Sequence, residues 1–271
     1  GREANTVGGE LRELGKLPET GQAEVAIVYD YETSWITRIQ PQGTDFRYFE
    51  LAFRWYEAVR RLGLDVDFVR PGVDLSGYKL VLVPCLMHIS PAAEVALKSA
   101  GGVVLLGPRT GSKTRHHAIP KNLPPGQLQE RTGARVLEVS SLRPGLTDTV
   151  MGTVRGSVTR WREHLELTSG KALAKFKDGS PALVAKGNFH YLGGWPDAAL
   201  LTSVMRYASR KAKLKTLPLP EHIRLRRRGG FTFIFNYGDR AWAAPADLRP
   251  MLGKHNIQPQ GFGVFSNTPK K

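Results

Sequence analysis

The chain holds a single cysteine, Cys85, so no internal disulfide can brace it. One unpaired thiol fits a reducing compartment, and a cytoplasmic location is expected. No apolar run approaches the about 18 residues that cross a bilayer, so no membrane partner is expected. The opening Gly1-Arg-Glu-Ala4 has no apolar signal core and no initiator methionine, as expected of a processed or partial chain. Acidic residues are also scarce: 24 Asp and Glu stand against 39 Lys and Arg, a net charge of +15. Such an excess attracts phosphates, nucleic acid or anionic surfaces; the plainer reading is a solvated exterior with a basic bias.

What is present is an ordinary globular composition. Hydrophobic residues make up 41% and charged residues 23% of 271, enough core for one large domain or two smaller ones. Leu11, Leu14 and Leu17 recur on one helical face, with Pro18 as the stop. Glu24–Asp30 reads as a buried strand, followed by a loop rich in Gln, Pro and Gly. Phe46 to Leu62 reads as an amphipathic helix with Phe46, Phe49, Phe53, Tyr56 and Val59 in one stripe, ended by Gly63. Strands are expected at 66–69, 79–83 and 103–106, with a helix from Ser90 to Ser99 capped by Ser90 and opened by Pro91. This alternation predicts an α/β domain with a doubly wound, mainly parallel sheet.

After Gly107 short β-like segments follow at 135–139, 150–158, 183–185 and 188–192, read as additions to the same sheet, and Asp197–Lys211 reads as a closing helix. Leu217-Pro-Leu-Pro220 is a stiff linker. Beyond it, Ile223–Arg226 and Phe231–Phe235 flank Gly229-Gly230 as a hairpin, with further strands at 241–243 and 263–265. The expected organisation is a residual segment at 1–22, an α/β domain at 23–215 and a small antiparallel β domain at 216–271.

Chemistry-bearing motifs are weak throughout. Gly107-Pro-Arg-Thr-Gly-Ser-Lys-Thr114 resembles a phosphate loop, but Ser112 parts Gly111 from Lys113 and no helix pattern follows. Cys85 lies among bulky apolar neighbours rather than the small residues that flank an amidotransferase nucleophile, and His88 is not evidently paired with it. It reads as a buried thiol. His116-His117 lacks an accompanying Cys or acidic cluster, and His190 reads as structural. Asp30 and Glu32 share one strand end rather than facing elements, so they are not nominated as paired acids. Arg210–Lys215 and Arg224–Arg228 are basic clusters, and Phe231, Phe233 and Phe235 alternate on one strand face as expected core. No catalytic, cofactor-binding or metal-binding residue is nominated.

Several stretches in order carry a resemblance. They are Val28-Tyr-Asp-Tyr-Glu32, Phe49 to Gly63 running into Arg60-Arg-Leu-Gly-Leu-Asp-Val66, Asp74-Leu-Ser-Gly-Tyr78, Gly107 to Thr114, Tyr191-Leu-Gly-Gly-Trp-Pro196, Arg226-Arg-Arg-Gly229 and Phe235-Asn-Tyr-Gly238. From about residue 9 onward the chain resembles the later domains of family 42 glycoside hydrolases, the β-galactosidases. The resemblance implies a class I glutamine-amidotransferase-like trimerisation domain without its nucleophile, then a small antiparallel β domain. It also implies a homotrimer and a partnership with a catalytic barrel that carries both glutamates. Such a barrel takes roughly 250 residues, and about two dozen precede the first strand, so no catalytic residue is carried over. The resemblance leads one to expect a neutral or acidic protein, which +15 is not. Two roles therefore compete: the non-catalytic oligomerisation portion of a β-galactosidase-like enzyme, or a free-standing basic scaffold on a nucleic-acid-containing or other anionic assembly. A small enzyme using Cys85 or a carboxylate is the third.

Overall fold

The computed structural model describes residues 1–17, 19–41, 43 and 45–266. These fall into two units. One comprises described residues of Ala23–Val59 and Val66–Lys215; the other comprises those of Gly1–Gln22, Arg60–Asp65 and Thr216–Lys271.

In the larger unit, short runs of branched apolar residues form β1 (Val25–Val28), β2 (Val66–Val69), β3 (Leu80–Val83) and β4 (Val103–Leu106). They pair in parallel in the order β2-β1-β3-β4, with β10 (Phe189–Leu192) parallel on the far side of β4. β1, β3 and β4 are buried along their whole length, which is why they lack the alternation of a half-exposed strand. The connection β1 to β2 runs one way along the sheet and β3 to β4 the other, so right-handed crossovers put their helices on opposite faces. The first crossover carries α2 (Tyr31–Ile39) and α3 (Tyr48–Arg60), the second α4 (Pro91–Ser99), and the one-turn α5 (Gln129–Thr132) follows β4. α4 packs Ala93, Ala96 and Leu97 into one core with Val28, Val83, Leu106 and Tyr191. His190, one step along β10 from Tyr191, bonds to the Tyr207 hydroxyl at 3.0 Å and so places α6 (Ala198–Lys211) on the other face.

The expectation of a mainly parallel sheet needs correction. β10 pairs antiparallel with β9 (Pro181–Lys186), and β8 (Lys171–Phe176), β6 (Asp148–Gly152), β7 (Gly156–Leu167) and β11 (Gly194–Pro196) follow outward, with β5 (Ala134–Ser141) also on β7. Among the described residues six of eleven strands belong to this antiparallel part, making the sheet mixed. Short turns joining successive strands permit only antiparallel pairing. α2 also replaces the expected loop after β1.

In the smaller unit, α1 (Arg2–Leu14) ends at Gly15, whose φ is 69°. Leu17 falls beyond this helix, and Pro18, its expected stop, lies outside the described residues. β12 (Ile223–Arg228) and β13 (Phe231–Asn236) form the expected hairpin over Gly229-Gly230. β17 (Phe262–Ser266) and β15 (Arg249–Leu252) complete a four-stranded antiparallel sheet, while β14 (Trp242–Ala243) pairs with β16 (Asn256–Ile257). The core face of β13 is Thr232, Ile234 and Asn236, not Phe231, Phe233 and Phe235, which are only half-buried on the other side. Asn236 decides the register: its amide donates to the carbonyls of Arg240, Ile257 and Gln258 at 2.7, 3.1 and 3.1 Å. Among the described residues no helix is long and apolar enough to cross a membrane.

Candidate functional site

Open α/β sheets hold ligands outside the carboxyl ends of the strands, where the strand order reverses. Here that point lies between β1 and β3, under Asp30, Cys85 and the loop 107–114. The structure fills it with its own groups. Cys85 is fully buried, and burial pushes its thiol up to about 12. Asp30 caps α2, accepting from the amides of Glu32 at 3.3 Å and Thr33 at 2.8 Å. The amides of the 107–114 loop are taken internally: Gly107 by Val83, Gly111 by Leu86 and Lys113 by Met87 (2.8 to 2.9 Å), and Arg109 by the Glu163 carboxylate at 2.8 Å. A loop with most of its amides already bonded makes a poor cradle for a phosphate. Glu32 sits 3.5 Å from His88 and 3.9 Å from His117, whereas His116 is exposed. Among the described residues no group of three or more His, Cys, Asp or Glu is arranged to hold a metal.

Behind the loop lies a cluster that sequence reasoning missed. Glu163 on β7 is 1% exposed and accepts from Arg109 N, Trp161 Nε1 at 3.2 Å and the Tyr191 hydroxyl at 2.7 Å. Burial raises its pKa despite those bonds. The buried Arg109 guanidinium lies 5.3 Å from the rings of Phe46 and Trp161, and its Nη1 has no bonding partner among the described residues. This group faces protein on every side and holds the loop in place.

The surface of the same unit is less ordinary. α2 is amphipathic in the reverse sense: Thr33, Ile36 and Thr37 face inward, while Tyr31, Trp35 and Ile39, four residues apart, stand 68%, 58% and 67% exposed. Thr33 is satisfied there, donating to Asp30 at 2.7 Å and accepting from the Met87 amide at 3.1 Å. α3 has two apolar faces. Tyr48, Leu51, Ala52, Trp55 and Val59 are buried; Phe49 and Phe53, expected in the buried stripe, are 67% and 48% exposed. The rings form a continuous ladder, Phe49 to Phe53 to Tyr56 to Phe68 to Tyr29 to Tyr31, with successive centroids 5.3 to 6.4 Å apart. Phe68 belongs to β2, the edge of the sheet, whose outer backbone groups have no strand beside them among the described residues. A contiguous exposed aromatic patch beside an open edge has the composition of a protein–protein interface.

The basic clusters have other employment. Arg226 and Arg227 converge with Arg60 on the single carboxylate of Asp65, at 3.5, 3.9 and 2.9 Å, all within the smaller unit. Arg210–Lys215 falls at the end of α6 in the larger unit.

Residues 23–215 match the family model of the β-galactosidase trimerisation domain. A β-galactosidase of Thermus thermophilus is 44% identical over 266 residues, covering 97% of this chain and 41% of that protein. The crystal structure of a β-galactosidase from the psychrophilic Marinomonas ef1 superposes with a TM-score of 0.93 at 34% identity, over 98% of this chain and 42% of that one. A polyextremophilic β-galactosidase from the Antarctic haloarchaeon Halorubrum lacusprofundi gives 0.86 at 31% identity, over 94% and 41%. The chain thus spans about two fifths of the length of these relatives, and the nucleic-acid scaffold finds no support among them. By the family model and by these likenesses, the chain belongs to the glycoside hydrolase family 42 β-galactosidases and carries their trimerisation domain.

Proposed function

We propose that this chain is the oligomerisation portion of a β-galactosidase-type enzyme, joining three copies through the aromatic surface of α2, α3 and β2. It supplies no catalytic group, cofactor or metal site, and hydrolysis belongs to a barrel outside these residues. Residues 23–215 act as an amidotransferase-like fold without a nucleophile, 216–271 as a β module, and 1–22 as the residue of an earlier element. The strand order β2-β1-β3-β4 and the inert Cys85 favour that reading. A cytoplasmic location accords with a free thiol that stays reduced.

The observation that carries the proposal is the six-ring ladder on a unit that matches a trimerisation domain. Light scattering across a concentration series should give three times the 30.0 kDa of one chain. Trp35→Ser combined with Phe49→Ser and Phe53→Ser should give a monomer with an unchanged circular dichroism spectrum. A wild-type monomer at high concentration, or a trimer that survives the triple substitution, refutes the assignment. A chromogenic galactoside should go unhydrolysed.

A further inference from the structure

The larger unit contains a second feature, at the amino-terminal ends of its strands and far along the chain from the ladder. A cavity of about 820 Å³ opens there, within the size range of ligand pockets. Its walls come from three places: Lys79 leading into β3, Lys171 opening β8, and Lys211 and Lys213 at the end of α6. His190 and Asn188 close the inner side, and no carboxylate lines it among the described residues. Lys79 is bonded to Glu24. Lys171, Lys211 and Lys213 have no carboxylate partner among the described residues; Lys211 lies 6.0 Å from the Tyr207 ring.

Simpler causes explain only part of this. Cations favour the carboxyl end of a helix, which accounts for Lys211. They do not account for Lys171, which comes from a different element. Nor do they account for the conformation of Lys213, whose φ is 55°. That left-handed position after a helix is usually held by glycine, and asparagine is the next choice. A lysine there is a strained residue lining a concave site, the setting in which strain accompanies function. Burial, with Lys211 adding to it, holds His190 below its ordinary value, so its imidazole stays neutral and bonded to Tyr207. The convergent charge is therefore that of the ammonium groups, focused by a concave wall.

We infer that this cavity binds a small multiply charged anion, of the class of pyrophosphate or an organic phosphate, through Lys171, Lys211 and Lys213. Three ammonium groups from two elements around one cavity can each donate to separate oxygens of the anion, and a polyphosphate brings more negative charge and a longer span to match them than a single phosphate.

The test is isothermal titration of the 271-residue chain with sodium pyrophosphate at low ionic strength, with inorganic phosphate and a ten-nucleotide single strand as separate arms. Saturable binding at one site per chain is expected, with pyrophosphate at least about tenfold tighter than phosphate. Lys171→Glu and Lys213→Asn should each weaken pyrophosphate by about tenfold or more; asparagine keeps the left-handed backbone, so the second variant tests charge without loss of fold. Lys121→Glu, an exposed lysine outside the cavity, carries the same change in net charge as Lys171→Glu and should leave the affinity within twofold. Absence of saturable binding overturns the inference. So does an equal loss in Lys121→Glu, which would mean a diffuse field from the +15 chain. An oligonucleotide that binds more tightly than pyrophosphate through the same lysines overturns the small-anion assignment.

Discussion

Glu163 and Cys85 are buried ionisable groups in one neighbourhood; burial raises the pKa of both, but they differ in what holds them. Glu163 is held by three donors with the Arg109 guanidinium nearby, so removing it orphans a hydroxyl, an indole N–H and the Arg109 backbone N–H together and takes an acidic neighbour from a buried cation. Glu163→Ala should therefore lower stability by about 3 kcal/mol or more in urea denaturation, since each orphaned buried donor costs about 1–3 kcal/mol. A loss below about 1 kcal/mol would show that the cluster adds little. Among the described residues Cys85 has no such hydrogen-bond donors, and burial sets its pKa. Its folded pKa stands near 12 against about 8.5 for a thiol in the unfolded chain. Between those values the unfolded chain has released the proton and the folded chain has kept it. Stability therefore falls as pH rises above about 8.5, by up to about 1.4 kcal/mol per pH unit. Urea midpoints taken up to about pH 10 should fall more steeply for the wild type than for Cys85→Ala, and parallel curves would refute the assignment. Iodoacetamide should label Cys85 only after unfolding. The inertness of Cys85 could be read from its apolar neighbours; the Glu163 cluster could not. A glutamate between Arg162 and His164 looks like the solvated side of a strand, and only the fold brings Arg109 and Tyr191 to it.

At the level of elements, α2 shows where pattern reading stops. Periodicity locates helices by their apolar inner face, yet α2 turns threonines inward and aromatics outward, and after β1 its sequence reads as loop. The one available signal was its start, Asp30 with Glu32 in the first turn, a cap signature. That cap is measurable: Asp30→Ala should cost about 1–2 kcal/mol of thermal or urea stability, and an unchanged midpoint would show that α2 is held by other contacts. In α3 the helix is legible but its orientation is not, because apolar residues occupy two faces and the stripe through Phe49 and Phe53 is as regular as the buried one. The same ambiguity inverted the faces of β13: alternation fixed which residues travel together, while burial chose Ile234 over the phenylalanines. β1, β3 and β4, apolar on both faces, offered no such choice and stand where expected.

For the whole molecule, the proposed association sets an exposed aromatic surface that would draw copies together against a charge of +15 that drives them apart. Repulsion between like-charged chains is screened by salt, whereas burial of aromatic rings is not weakened by it. Trimerisation should therefore tighten between low and physiological ionic strength, as sedimentation or light scattering would report. Association that weakens with added salt would mean that ion pairs, not rings, hold the copies. The α/β class and the C-terminal hairpin were legible from the chain because each rests on local runs and turns. The antiparallel half of the sheet was less so, since β8 and the full length of β7 mix charged and apolar residues without a clean period.

α2 also says something about the order of events in assembly. It is seated on the domain by the buried Ile36 and by the Met87 amide donating to the Thr33 hydroxyl, while the Thr37 hydroxyl bonds back to the Thr33 carbonyl within the helix. On the proposed trimerisation through this surface, subunits would meet as rigid bodies and lose little ordering entropy on contact. Association should then follow simple second-order kinetics limited by collision and orientation, with no slower folding phase behind it.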